Sequence, residues 1–176
     1  MDPQPGERTL FEGKYIRLVQ QGKWEFARRR NTSGIVGIVA VTDDGRLLLV
    51  EQFRPPVGKP VIELPAGLAG DVAGQEAEEL ATAAKRELLE ETGYAARELE
   101  AVASGPPSAG LSDEVITLFV ARGLTKAGPG AGDGSEQITL HEVPVGEAHA
   151  FVDRKARDGC LVDLKVFAGL YFAQRR

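Results

Sequence analysis

Apolar positions along this chain recur with two different periods. Between residues 10 and 30, LFEGKYIRLV and WEFARRR carry aromatic and branched residues on either side of QQGK, which predicts a β-hairpin. IVGIVAV at 35–41 and LLLVEQF at 47–53 are nearly unbroken apolar runs, and the TDDGR between them holds Asp44-Gly45, a strong turn signal. A second hairpin of two buried strands is the expectation. Arg54-Pro55-Pro56-Val57-Gly58 then breaks the strand, VIELP at 61–65 resumes extended structure, and a glycine-studded loop runs from Gly67 to Gly74. Beyond that loop the spacing changes to three and four. Ala77, Leu80, Ala81, Ala84 and Leu88 form one stripe of a helix expected over about Glu76 to Thr92, with Gly93 just past its end.

Downstream, residues 97–104 and VITLFVARGL at 115–124 read as strands separated by the loop GPPSAGLSDE. AGPGAGDGS at 127–135 is a glycine-rich loop, and QITLHEVP after it is a strand. Residues 146–157 and 163–174 have helical spacing, the latter with Leu164, Phe167, Leu170 and Tyr171 on one side. No internal repeat is present. Strands in antiparallel hairpins, one long helix in the middle and helices at the end predict an α+β or α/β sandwich of sheet and helices.

Composition narrows the classes. At 176 residues, 43% hydrophobic and 27% charged, the chain fits one globular domain with room for a small terminal extension. Its single cysteine, Cys160, excludes an internal disulfide, and MDPQPGER lacks a basic region followed by an apolar run, so no secretory signal is read and a cytoplasmic location is expected. The longest apolar stretch is too short to span a bilayer. A net charge of −5 without a basic stripe argues against a nucleic-acid partner.

The sharpest chemical signal lies in the central helix, in AAKRELLEETGY. Spacings of three and four put Glu87, Glu90 and Glu91 on one narrow face, where they repel one another. They also sit in the last turn, where the helix dipole disfavours anions by roughly 0.3–1 kcal/mol each. Arg86 can answer Glu90 one turn on and, by helical phase, Glu79, but Glu87 and Glu91 have no cation four residues later. A divalent cation resolves the repulsion, and an all-oxygen donor set suits Mg²⁺ or Mn²⁺. The bland alternative is a merely charged helix face.

Context weighs against that alternative. The run from Glu63-Leu64-Pro65-Ala66-Gly67 through the loop to Arg86-Glu87-Leu88-Leu89-Glu90-Glu91-Thr92-Gly93-Tyr94 resembles the box of the Nudix hydrolases, whose second half, R-E-U-x-E-E-x-G-U, is matched throughout. The first half departs from it: the expected glycine position holds Val72, so Gly67 stands as the motif glycine with five extra loop residues, and the role of Glu78 is thereby in question. LLLVEQFRPPVGKPVIELPAGL and SAGLSDE are similar to the subgroup that cleaves ADP-ribose and related nucleoside diphosphate sugars.

The resemblance implies an α/β/α sandwich with a mixed sheet over 34–176, and an N-terminal hairpin over 1–33 that completes a homodimer. It implies Mg²⁺ held by Glu87, Glu90, Glu91 and the Ala66 carbonyl, Arg86 orienting the glutamates, and Arg54 and Glu63 facing the substrate, with Gly110 in SAGLSDE beside it. Two residues compete as general base, Glu114 and Glu136, the latter also a possible metal ligand. The expected reaction is Mg²⁺-dependent cleavage of ADP-ribose to AMP and ribose 5-phosphate. GDP-mannose or another sugar nucleotide is the alternative substrate, and a non-catalytic nucleotide sensor on the same fold the alternative class.

Other positions carry weaker signals. Arg28, Arg29 and Arg30 read as a solvated run or as a contact to a substrate phosphate or base, with Arg28 the residue named for it. Trp24 reads as a packed or interface residue, His141 and His149 as structural or exposed, Cys160 as a packed thiol, and Asp163 and Lys165 as serving the last helix.

Overall fold

The structure, a computed structural model, describes residues 6–72, 74, 76–130 and 137–175. Its elements run β1 (Glu7–Glu12), β2 (Ile16–Gln21), β3 (Trp24–Arg29), β4 (Gly34–Ala40), β5 (Arg46–Arg54), β6 (Lys59–Glu63), β7 (Ala66–Ala69), α1 (Leu80–Thr92), β8 (Tyr94–Gly105), β9 (Ile116–Lys126), β10 (Thr139–Pro144), α2 (Ala148–Arg157), β11 (Leu161–Val162) and α3 (Leu164–Ala173). Two four-stranded sheets, in the orders β7-β4-β9-β8 and β10-β5-β6-β11, form the middle layer, and β1-β2-β3 is a separate three-stranded sheet. β4 runs parallel to β9, and β6 parallel to β11, with the remaining pairs antiparallel.

The apolar runs explain this layering. In β4, Val36, Ile38 and Ala40 face Ala83, Ala84 and Leu88 of α1, while Val39 joins the cluster containing Phe151 and Val152 of α2 and Val166 and Leu170 of α3. β9 splits in the same way, with Phe119 and Ala121 toward α1 and Leu118 and Val120 toward the terminal helices. A strand buried on both faces reads as a continuous hydrophobic run because period two then separates two cores, not core from solvent. The result is the α/β/α sandwich, and each fully buried leucine or isoleucine in it contributes about 1.5–3 kcal/mol.

Four expectations are corrected. β4 and β5 are joined by the expected turn, with Gly45 at φ 81° and its N–H donating to the Thr42 carbonyl, but the strands enter different sheets and share one bridge, Val41 with Leu47. The 10–30 segment has three strands, because Gly13 opens a first turn inside LFEGKYIRLV and donates to the Ile16 carbonyl. The central helix begins at Leu80, not Glu76: Glu79 is extended at its N-cap, while the Glu78 side chain turns back to accept from the Gly70 N–H. Strand β7 falls within the segment read as loop, where Gly67 pairs with Val36.

Candidate active site

Helix α1 carries the acids, and its two ends fix where they point. At its C-terminus Gly93 adopts φ 73° and donates to the Leu89 carbonyl, while any side chain there would collide with the Gly128 backbone. The last turn contains no basic residue of its own; Lys126 from β9 supplies the missing cation, its Nζ 2.9 Å from the Thr92 carbonyl oxygen. Ala83, Ala84 and Leu88 are buried, and the acidic arc adjoins them on the same side of the helix, which packs against β7. Glu91, 6% exposed, accepts from the Ala66 N–H at 3.1 Å, which brings the start of β7 against the acidic arc.

Arg86 organises the group. Its Nη1 donates to Glu87 at 2.8 Å and Glu90 at 3.2 Å, Nε and Nη2 donate to Glu78 at 3.2 and 3.1 Å, and Nη2 also donates to the Leu68 carbonyl at 2.8 Å. Glu78, and not Glu79, is therefore its partner before the helix. Despite the longer loop, Glu78 reaches Arg86 with a side chain only 3% exposed. Hydrogen bonding from Arg86 holds the Glu78 carboxyl below its usual range.

Glu87 has the opposite balance. Burial pushes its carboxyl up to about 7, against the pull of Arg86, with Glu90 and Asp71 adding to the rise. Its carboxylate fills the space over Gly67, where a methyl group would overlap the carboxylate carbon and both oxygens. The donors are all oxygen, and a largely buried carboxylate whose one cation, Arg86, is shared with Glu78 and Glu90 is what a hard divalent cation relieves, so the residues fit Mg²⁺ or Mn²⁺. Among the described residues no three such side chains already converge on one point; Arg86 stands between Glu87 and Glu90.

These groups line a cavity of about 700 Å³. Glu63, Ala66, Gly67, Glu87, Glu90 and Glu91 are on its wall, with Arg54, Arg86 and Glu114. Two ion pairs brace it: Arg54 with Glu63 at 2.8 Å and Arg29 with Glu114 at 2.6 Å. A separate hollow of about 570 Å³ between β10 and α2 carries none of the α1 acids.

Most of the sequence-predicted site residues among the described residues thus come together, and two do not. Arg28 is 8% exposed and bonded to Glu7 and Asp113, which ties β1 and the 105–114 loop to β3; its neighbour Arg29 is the one on the cavity wall. Alternation along a strand makes one of two adjacent arginines face the cavity, and the sequence does not say which. Gly110 is exposed and off the wall. Glu136 lies outside the described residues. Lys165 serves α3 as expected, bonded to its N-cap Asp163, and also lines the cavity, as do Ile35 and Ile138. His141 is bonded to Glu51 at 2.8 Å, which also takes Lys155, a structural arrangement as expected, with the Cys160 thiol beside it.

Fold and site together define an α/β/α domain with an acidic loop-helix-loop centre suited to divalent ions and an anionic substrate. A family model described as NUDIX domain matches residues 32–163, and the chain belongs to the Nudix family. It is 34% identical over 156 residues to a methanol dehydrogenase activator of Bacillus methanolicus, covering 83% of this chain and 80% of that protein. It is 35% identical over 125 residues to an ADP-ribose pyrophosphatase of Bacillus subtilis (68% of this chain, 65% of that one). It is also 35% identical over 186 residues to an ADP-sugar pyrophosphatase of Mus musculus (92% and 83%). A solved structure described as an ADP compounds hydrolase superimposes with a TM-score of 0.65 at 20% identity, covering 85% of this chain and 81% of that one, which establishes the shared fold. No helix among the described residues is long and apolar enough to cross a membrane.

Proposed function

We propose that this chain is a pyrophosphohydrolase that cleaves ADP-ribose, or a closely related ADP-sugar, to AMP and a sugar phosphate with Mg²⁺ as its working metal. The observation that carries the reading is the buried carboxylate set of Glu87 and Glu91, with Glu90 at its rim, opening onto a cavity that also presents Arg29, Arg54 and Arg86. Its similarity to proteins named ADP-ribose and ADP-sugar pyrophosphatase supports the substrate class.

Glu87, Glu90, Glu91 and the Ala66 carbonyl would hold the metal, with Mn²⁺ a substitute. When bound, such ions neutralise diphosphate oxygens and lower the pKa of a coordinated water. Arg86 keeps Glu87 and Glu90 from splaying apart and anchors them to Glu78 and the Leu68 carbonyl. Arg54 and Arg29, each steadied by a carboxylate, are placed to meet diphosphate oxygens. Glu114 is on the wall and can take a proton from the attacking water once substrate displaces its contact with Arg29. Glu136 is the other candidate for that role.

We read residues 1–33 as a dimerisation extension to a catalytic domain over 34–176. Exposure of Phe11 (65%) and Trp24 (59%) on the β1-β2-β3 sheet, and of Tyr15 (68%) in its β1–β2 turn, supports a second copy packing there. Incubation with ADP-ribose, ADP-glucose and GDP-mannose in Mg²⁺ tests the substrate. Release of AMP from ADP-ribose at the highest kcat/KM is expected; faster cleavage of GDP-mannose would move the assignment, and no cleavage of any would remove it.

A further inference from the structure

The catalytic cavity shares a wall with a second pocket of about 230 Å³, and three residues belong to both: Pro107, Ile116 and Lys165. Lys165 is the charged one. It sits in the first turn of α3, and Asp163 holds it twice: Oδ1 caps the helix by accepting the Lys165 N–H at 2.7 Å, and Oδ2 accepts from Nζ. An ammonium has three donors, and among the described residues Asp163 takes one of them.

The other cations of the cavity answer carboxylates on the same wall: Arg29 meets Glu114, Arg54 meets Glu63, and Arg86 meets Glu87 and Glu90. Asp163 is not on the wall. Lys165 therefore brings its ammonium to the cavity lining while its ion-pair partner, Asp163, stays outside that lining. Beyond it, the smaller pocket is walled by Ala103, Ser104, Gly105 and Pro106, which are small and uncharged. That volume is below the roughly 300 Å³ at which drug-sized ligand sites begin, so it suits a fragment such as a single sugar ring.

We propose that Lys165 is a specificity-determining residue that contacts the phosphate on the sugar side of the substrate, and that the pocket beyond it receives the sugar. This rests on the reading of the cavity as a pyrophosphohydrolase site. Lysine suits the task because it is a point charge on a flexible stem, able to follow a phosphate without the fixed fork of arginine.

The test measures binding of ribose 5-phosphate and of AMP by calorimetry to wild type, Lys165→Met and Lys165→Arg. Methionine leaves the Asp163 cap to the backbone N–H intact, so folding is not at stake. Loss of one charge-assisted contact should weaken ribose 5-phosphate by about tenfold in Lys165→Met and by no more than about threefold in Lys165→Arg, with AMP unchanged in both. In turnover, KM for ADP-ribose should rise by a similar factor while kcat stays within about threefold. Equal ribose 5-phosphate affinity in wild type and Lys165→Met, or no binding to wild type at all, overturns the inference. Wild-type turnover with an unaltered Lys165→Met defeats this inference alone, whereas Lys165-dependent binding without any turnover defeats the catalytic reading alone.

Discussion

Gly67→Ala isolates the metal site from the fold better than any change to the acids themselves. Gly67 lies in β7, paired with Val36, and its φ is outside the left-handed region, so alanine fits the backbone. The added methyl would occupy the place of the Glu87 carboxylate. Overpacking of this kind costs about 1–3 kcal/mol, offset by about 0.4–1 kcal/mol from a less flexible unfolded chain. Because what must yield is the end of a flexible side chain, a net loss of no more than about 2 kcal/mol is expected, or less than about 8 °C in Tm for a chain of this size. Chemistry should suffer more. Displacing a catalytic group by about 1 Å can cost about a hundredfold in rate. AMP release from ADP-ribose at saturating Mg²⁺ would measure it, with the midpoint of the Mg²⁺ titration as a second readout, expected to rise by about 10–100-fold. Gly146→Ala, whose methyl group meets nothing within 4 Å, is the control. Wild-type kcat and an unshifted Mg²⁺ midpoint in Gly67→Ala would refute the placement of Glu87 as a metal ligand.

Arg86→Ala leaves Glu78 buried without its cation; breaking such a pair costs about 3–5 kcal/mol, so chemical denaturation should show a loss in that range with turnover at background. Chelation with EDTA should abolish activity but leave the far-ultraviolet spectrum unchanged, because Arg86 holds Glu87 and Glu90 in the absence of metal; unfolding on chelation would count against that role. Since the folded-state pKa of Glu78 is depressed by Arg86, its stabilisation is present above the ordinary carboxylate pKa and fades as pH falls through the folded value. Glu78→Gln should accordingly lower stability at neutral pH, and the gap to wild type should narrow under acid; a gap constant with pH would contradict the ion pair.

How much of this was legible in the sequence depended on the range of the interaction involved. The acidic arc on α1 was readable because helical phase alone sets it, and Gly67 as the motif glycine agrees with its contact to Glu87. The strands were readable as strands, yet the pairing of β4 with β9, some 80 positions away, rather than with β5 is a decision between distant apolar faces that a strong local turn conceals. Glu78 was doubtful because a five-residue insertion scrambles spacing; three dimensions let the loop bulge and still return that side chain to Arg86. The cavity positions of Arg29 and Lys165 are hidden from the sequence for a shared reason. Each borders an element whose local chemistry explains it adequately, and only the tertiary cavity gives it a second neighbour.

Manganese uptake addresses the central claim most directly, since it reports on the carboxylate set without relying on the choice of substrate. Free Mn²⁺ would be followed by paramagnetic resonance as wild type and Glu91→Gln are titrated in the presence of AMP. Glutamine retains an acceptor for the Ala66 N–H and so preserves the local structure. The account predicts saturable uptake by the wild type and affinity weaker by about 10–100-fold in Glu91→Gln. Identical titrations for the two proteins would contradict it.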